Sequence, residues 1–396
     1  MNTKYTFNSK KVTEPKKRGD SLPFLDTIMN STVTIFYNVF KNKPIDNKVS
    51  YKKLLSETQL KNTLAKKEII GTIENVFPDK RLANIIASTL DKKTEYSVNK
   101  EELETLTSLF LSKYNVKNLS GLEYLINLHT LDLSDNQISD ISPLSSLLHL
   151  STLYLARNQI SDISPLSGLL HLKLLDLSDN RISDVSPLSS LLHLSTLYSA
   201  RNQISDISPL SGLLHLNSLD LSDNRISDVS PLSKLLHLNK LYLARNQISN
   251  TSPLSGLLDL SSLYLAYNQV SDVNPLSSLI NLSSLDLSGN QINDLHPLSL
   301  LSHSFIWAVG QSIKLEPSSI SKPTTFALFD KDGYSISASE IRWDKGKGTL
   351  VNESITWDTP GENKLTWHRG HPLERNFFSG TLEQYISEKH KNVTNL

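Results

Sequence analysis

The chain contains no cysteine among its 396 residues. That absence removes cysteine nucleophiles, thiolate zinc sites and disulfides together, and it leaves the redox compartment open. No apolar run reaches the ~18 residues that a membrane-spanning helix requires. Glycine is scarce, at 14 residues, and none of it forms a phosphate-cradling loop. The HExxH and GxSxG patterns are missing as well, so the common signatures of metal-assisted and serine hydrolysis are absent. The chain also lacks an excess of charge of one sign: 40 Lys and Arg stand against 40 Asp and Glu, and bulk charge does not indicate nucleic acid. The balance is uneven, since residues 1–100 carry 19 basic and 10 acidic side chains. Such a segment suits an acidic partner or membrane surface, although lysine-rich solvated tails are common.

Repetition is what the chain has in abundance. A unit opening at Leu131 reads LDLSDNQISDISPLSSLLHLST, and the next opens 22 residues on, at Leu153, as LYLARNQISDISPLSGLLHLKL. The frame holds without insertion through Asn136, Asn158, Asn180, Asn202, Asn224, Asn246, Asn268 and Asn290, and through the prolines from Pro143 to Pro297. A fixed period of this size means an array of identical supersecondary units. The pattern L-x-x-L-x-L-x-x-N-x-I is that of a leucine-rich repeat.

The letters of one unit predict its structure. Leu131-Asp132-Leu133 is a short alternating strand with leucines inward and Asp132 outward. The turn that follows has buried backbone groups that need partners, and a stacked column of Asn, which both donates and accepts, can satisfy them. Ser142-Pro143 reads as a serine cap followed by proline at the first helical position. It should open a 3₁₀ or short helical turn on the convex side, closed by Leu147, Leu148 and Leu150. The column Asp140, Asp162, Asp184, Asp206, Asp228, Asp272 and Asp294 reads as turn capping. No repeat can bury its leucines alone, so stacking must create the core and a parallel sheet.

The flanks differ from the array. Residues 1–50 read as a basic, flexible extension. Within it, residues 22–40 follow Lys16-Lys17-Arg18 as a signal peptide would, but Asp26 and Asn30 interrupt the run and no small-residue cleavage site follows. Residues 51–107 place apolar side chains at spacings of three and four, predicting a helical cap over the first rung. Residues 108–304 form the array, with Leu109-Phe110-Leu111 as a degenerate first repeat in which Tyr114 stands in the Asn column. All four tryptophans, Trp307, Trp343, Trp357 and Trp367, lie in residues 305–385. Short alternating runs separated by turn residues predict a small all-β sandwich there. Residues 386–396 form a tail.

The cap sequence IENVFPDKRLANIIASTL, the repeat NQISDISPL and the terminal FFSGTLEQ together resemble the internalin family of bacterial leucine-rich-repeat proteins, over residues 70 to about 385. The resemblance implies an α/β solenoid with its parallel sheet on the concave face and 3₁₀ turns on the convex face, an α-helical cap and an Ig-like end. It also implies a non-enzymatic protein, surface-bound or secreted, with a role in virulence, whose concave face binds a host cell-surface protein. No clear signal peptide or carboxy-terminal sorting motif accompanies the resemblance, which leaves a cytoplasmic interaction module as the alternative.

Aligned repeats expose a double period. The outward strand position reads Asp132, Tyr154, Asp176, Tyr198, Asp220, Tyr242, Tyr264 and Asp286. Three residues later stand Asp135, Arg157, Asp179, Arg201, Asp223, Arg245, Tyr267 and Gly289. One reading is a ladder that neutralises itself across adjacent rungs after duplication. The other is a Tyr- and Arg-rich recognition face on which Tyr242, Tyr264 and Tyr267 form an aromatic patch. That patch beside acids also suits a glycan. A histidine column, His149, His171, His193, His215 and His237, reads either as packing at the turn or as a low-pH or metal-binding device. Ser199 replaces an inward leucine and should leave a defect or find a hydroxyl partner. Catalysis needs one asymmetric constellation, whereas every Ser and His of the array has equivalents. The expectation is a monomeric, non-enzymatic scaffold with a protein partner and no cofactor, metal, nucleic acid or transmembrane segment.

Overall fold

Three-residue strands recur along the chain in the computed structural model, which describes residues 69–388 apart from 327, 352 and 371–375. The expectations for residues 1–50, for the first part of the cap and for most of the tail lie outside these residues. The repeated strands are β3 (Ser108–Phe110), β4 (Thr130–Asp132), β5 (Thr152–Tyr154), β6 (Leu174–Asp176), β7 (Thr196–Tyr198), β8 (Ser218–Asp220), β9 (Lys240–Tyr242), β10 (Ser262–Tyr264) and β11 (Ser284–Asp286). All are parallel, and each pairs with the next in zero-shift register, Leu131 opposite Leu153 and Asp132 opposite Tyr154. Strands this short have too little pairing to persist alone. Their stability comes from burial: Leu131, Leu133, Ile138, Ile141, Leu144, Leu147 and Leu150 of one rung are all fully or almost fully buried. Each such side chain contributes roughly 1.5–3 kcal/mol only once neighbouring rungs cover it.

A 3₁₀ turn follows every strand, as at Ser142–Ser146. Two local expectations need correction. Ser142 is not the cap: Ile141 precedes the turn without a side-chain bond, and Asp140 Oδ1 instead accepts the Ser142 N–H at 2.8 Å. A carboxylate two residues upstream reaches that donor as an Asx turn, which a serine at the first turn position cannot. Leu148 does not close the turn either; it is 52% exposed, whereas Leu147 and Leu150 are buried. Adjacent residues of a tight turn face opposite ways, so the column from Leu148 to Leu258 lies on the surface.

The described part of the cap mixes helix and strand. Strand β1 (Ile69–Thr72) pairs antiparallel with β2 (Ser97–Asn99). Around them lie α1 (Ile73–Val76), α2 (Lys80–Thr89) and α3 (Lys100–Leu103). Asp79 joins this module to the first rung. Its Oδ1 accepts the N–H groups of Arg81 and Leu82 at the start of α2, and its Oδ2 accepts those of Lys117 and Asn118. Burial pushes the Asp79 carboxyl up, but these four donors outweigh it and hold the pKa below the ordinary value. Gly121, at φ 98°, lies where a Cβ would strike the Val76 carbonyl and the Phe77 ring.

At the other end the sheet does not stop at residue 305. Strand β12 (Phe305–Ser319) pairs parallel with β11 through Trp307 opposite Asp286, then parallel with β18 (Asn376–Ser387). The sheet continues antiparallel through β17 (Gly361–Arg369) to β14 (Ile341–Lys345). A second layer holds β13 (Thr324–Thr325), β16 (Ser354–Trp357) and β15 (Gly348–Val351). The layers meet where Trp343 packs edge-on against Trp357 and where Trp357 Nε1 donates to Gln384 Oε1 at 2.8 Å. This is the Ig-like sandwich, and β12 belongs to both it and the solenoid. Gln311 on β12 also continues the Asn column, its Oε1 accepting the Ile292 N–H and its Nε2 donating to the Leu287 carbonyl. Among the described residues no helix is long and apolar enough to cross a membrane.

One buried hydroxyl and one half-buried ion pair have predictable effects on stability. Ser199 is 0% exposed and its hydroxyl has no hydrogen-bond partner among the described residues; equivalent positions in other rungs hold leucine. Ser199→Leu is expected to raise stability by about 2 kcal/mol in urea unfolding, whereas a loss would show that neighbouring rungs have closed over the site. In the Ig-like module, Arg369 donates to both oxygens of Glu340 and to Asp330, and the Arg369 bond holds the Glu340 pKa down to about 2. A depressed carboxyl stabilises the fold above its unfolded pKa and loses that contribution as pH falls through its folded one. Glu340→Gln should therefore cost about 2 kcal/mol at pH 7, with the difference from wild type shrinking between roughly pH 4.5 and 2. A difference constant over that range would refute the assignment.

Candidate functional site: the exposed face of the parallel sheet

From β4 to β11, every turn between strand and 3₁₀ segment carries one Asn that pins it to the rung before. Asn180 Oδ1 accepts the Ile160 N–H of the preceding rung at 3.0 Å, and its Nδ2 donates to the Leu155 and Leu177 carbonyls at 2.9 and 3.0 Å. The same bonds recur from Asn136, bound to Val116 N, Leu111 O and Leu133 O, to Asn290, bound to Val270 N, Leu265 O and Leu287 O. Each buried partner left unpaired would cost about 1–3 kcal/mol. The ladder therefore fixes rung-to-rung geometry and so the position of every side chain on the sheet face.

On that face the register lines up Asp132, Tyr154, Asp176, Tyr198, Asp220, Tyr242, Tyr264 and Asp286 in one row. The row extends to Phe110 at one end, as the frame of the degenerate repeat places it, and to Trp307 at the other. Phe110 sits in the degenerate repeat, and Trp307 follows Asp286 by 21 residues instead of 22, so pattern alignment loses it. The strands also carry one cation, Lys240.

Three residues beyond the row lies a second column with left-handed backbone: Asp135, Arg157, Asp179, Arg201, Asp223, Arg245 and Tyr267 have φ of 54–57°. For L-residues this region costs roughly 1–2 kcal/mol, less for Asp than for Arg or Tyr. Arg157 meets Asp135 through two bonds, Nε to Oδ1 at 2.5 Å and Nη2 to Oδ2 at 2.8 Å. That pairing lowers the Asp135 pKa and raises that of Arg157. Arg201 reaches Asp179 at 3.4 Å, and Arg245 lies 3.8 Å from Asp223.

The alternation breaks at the aromatic patch. The Tyr242 and Tyr264 rings stack with centroids 4.9 Å apart. Tyr267 is 55% exposed and has the Arg245 guanidinium 4.5 Å from its ring centre. The next rung holds Gly289 where a side chain would collide: an added Cβ would lie 2.6 Å from the Tyr267 ring. Burial raises the Tyr242 pKa, with repulsion from Tyr264, Asp220 and Tyr198 adding to it. Burial likewise raises the Asp220 pKa against the opposing Ser222 N–H, and Asp176 and Asp223 push it further.

The histidine column runs along a different surface, at the entry to the strands. His193 and His215 stack at 6.5 Å, and His237 Nδ1 lies 3.7 Å from Asp259 Oδ2. His215, His237, Asp259 and the Asn217 and Asn239 amides line a shallow groove. Among the described residues no three His, Asp or Glu side chains converge as metal ligands. The Asp140-type column is engaged in turn capping, as Asp162 with Ser164 and Asp294 with His296.

The family described as Leucine Rich repeats (2 copies) matches residues 104–146, 126–168, 148–190, 170–212, 214–256 and 259–300. No curated protein matches the chain. Among solved structures, the chain is similar to an internalin (inlF) from Listeria monocytogenes str. 4b F2365, at 35% identity and a TM-score of 0.55, covering 63% of this chain and 80% of that one. It is similar to internalin C2 (inlC2) from the same strain at 38% identity and a TM-score of 0.53, covering 54% of this chain and 96% of that one. The chain belongs to the internalin family. The L. monocytogenes InlP structure shares the fold at 20% identity and a TM-score of 0.62, with 80% of this chain and 98% of that one covered. An internalin repeat array is a protein-interaction scaffold, and in this internalin the sheet face is where aromatic, basic and acidic side chains converge.

The left-handed column offers a direct test of whether its arginines are there for the fold. Arg201→Gly removes the backbone cost and loses only an exposed 3.4 Å pair, so stability should be unchanged or rise by up to about 1 kcal/mol. A measured loss of more than that in chemical denaturation would assign the Arg201 side chain a structural role.

Proposed function

We propose that this internalin is a non-enzymatic binding scaffold whose sheet face recognises a protein, with Tyr242, Tyr264 and Tyr267 as central anchors. The observation that carries this reading is the column of strained arginines and Tyr267, with φ of 54–57°. A fold selected for stability alone would favour Gly or Asn there, so large side chains held at a backbone cost point to use of those side chains. Tyr and Arg are also the residue types that dominate interface hot spots. The row from Asp132 to Asp286, with Tyr154, Tyr198, Arg157 and Arg201, forms the surrounding contact surface.

The family resemblance extends this reading to a surface-bound or secreted protein that meets a host cell-surface protein as a monomer. A glycan is the second reading, favoured by the stacked Tyr242–Tyr264 pair beside Asp220. The discriminating experiment screens purified host ectodomains and a glycan array against the wild type and a Tyr242→Ala/Tyr264→Ala/Tyr267→Ala variant. Binding to an ectodomain should weaken at least ~30-fold in the variant, as loss of a hot spot worth about 2 kcal/mol requires, with an unchanged melting temperature. Undiminished ectodomain binding would remove the patch from the site, and binding to glycans alone would favour the second reading.

A further inference from the structure

We infer that the segment docking on the sheet face is cationic, an extended polypeptide presenting arginine at every third residue. The inference rests on the sheet face being the docking surface and adds the chemistry of what docks there. The two columns differ in how their carboxylates are paired. In the turn column, Asp135, Asp179 and Asp223 each face an arginine, at 2.5, 3.4 and 3.8 Å. In the strand row, Asp132, Asp176, Asp220 and Asp286 each use one oxygen to accept the N–H of Ser134, Ser178, Ser222 or Ser288, at 2.9–3.0 Å. None of the four has a cation within 4.0 Å among the described residues. Lys240 is the sole Lys or Arg of the repeated strands; it stands on the same face two residues before the row, beside Ser218 and Ser262, and makes no ion pair within 4.0 Å with the four carboxylates among the described residues. The face thus presents carboxylates without an ion-pair partner, set between aromatic rings; Asp176 alone among them feels the more distant charge of Arg157.

Each class of partner meets this face differently. An acidic partner is repelled. A neutral one covers Asp220, already half-buried between Tyr198 and Tyr242, and leaves it without a countercharge, which is unfavourable. A guanidinium can lie flat on a tyrosine ring while its edge donates two hydrogen bonds to the adjacent carboxylate, a planar geometry that a compact ammonium does not reproduce. The face already holds one such contact, Arg245 over Tyr267 at 4.5 Å.

The spacing then restricts the backbone. Asp132, Asp176 and Asp220 stand on alternate rungs, so with strands about 4.8 Å apart they are about 9.6 Å from one another. In a polyproline II segment, residues three apart lie on the same side and about 9.3 Å apart. In a β-strand, residues three apart point to opposite faces. A polyproline II segment with arginine at every third position therefore places successive guanidiniums opposite successive carboxylates.

The test uses a synthetic peptide of four Arg-Pro-Pro triplets, with Glu-Pro-Pro and Gln-Pro-Pro versions as controls, titrated by fluorescence anisotropy against the full chain. The arginine peptide is expected to bind and the glutamate peptide not to. Asp176→Asn/Asp220→Asn, which keeps the oxygen that accepts the serine N–H, should weaken binding about tenfold or more and flatten its salt dependence, without a lower melting temperature. If the glutamine peptide binds as well as the arginine peptide, or if the asparagine variant binds unchanged, the charge assignment is overturned. In that case the Tyr242→Ala/Tyr264→Ala/Tyr267→Ala variant separates the two claims: lost binding keeps the sheet face as the docking surface, and retained binding removes it. Failure of all three peptides to bind also overturns the inference, whereas the docking surface is judged by the ectodomain screen.

Discussion

The structure depends on satisfying buried backbone at each turn that leaves the sheet. A chain reversing direction beside an apolar core exposes N–H and carbonyl groups that water cannot reach, and here a single amide side chain per rung answers them. Because each Asn binds both its own rung and the one before, as Asn180 does with Ile160, Leu155 and Leu177, local satisfaction and stacking are the same event. What must repeat is the distance from strand to amide: Asn290 stands four residues after Asp286 and Gln311 four after Trp307, although that last rung is 21 residues long instead of 22. The column is also extended past the last repeat by Gln311, whose longer side chain does the work of Asn from the first strand of the sandwich.

Uniform stacking has a consequence for recognition. Identical positions repeat along straight columns, and their surroundings decide which columns remain available. The Asp140-type carboxylates are committed to turn N–H groups. The turn-column arginines are partly committed to the aspartates of the preceding rung, tightly at Arg157 and loosely at Arg245. The strand row keeps its tyrosines and its carboxylates open to a partner. The departures from the alternating pattern, Tyr264, Tyr267 and Gly289, lie together and form one aromatic feature, because glycine in one rung leaves room for the ring of the rung before.

The continuous sheet joins the repeat array and the Ig-like module through β12, which belongs to both. Trp307 therefore stands in the strand row although it lies in the tryptophan-rich part of the chain. An expected division at residue 305 describes a change in composition, not a break in hydrogen bonding.

The sequence alone determined the repeat, its strand frame, the Asn column, the outward residues and the β-rich end, because periodicity in a solenoid converts directly into position: residues 22 apart must stack. It also pointed to the family. Tertiary structure decided what depends on neighbours in space. The cap contains paired strands as well as helices, Leu148 faces outward, and Asp140 caps the turn in place of Ser142, since turn conformation sets which donors a side chain can reach. Trp307 and Gln311 join their columns through strand pairing, which the 21-residue spacing of the last rung obscures in the letters. Which aspartates have a countercharge and which do not was settled by side-chain reach across rungs, a distance that a linear pattern does not contain.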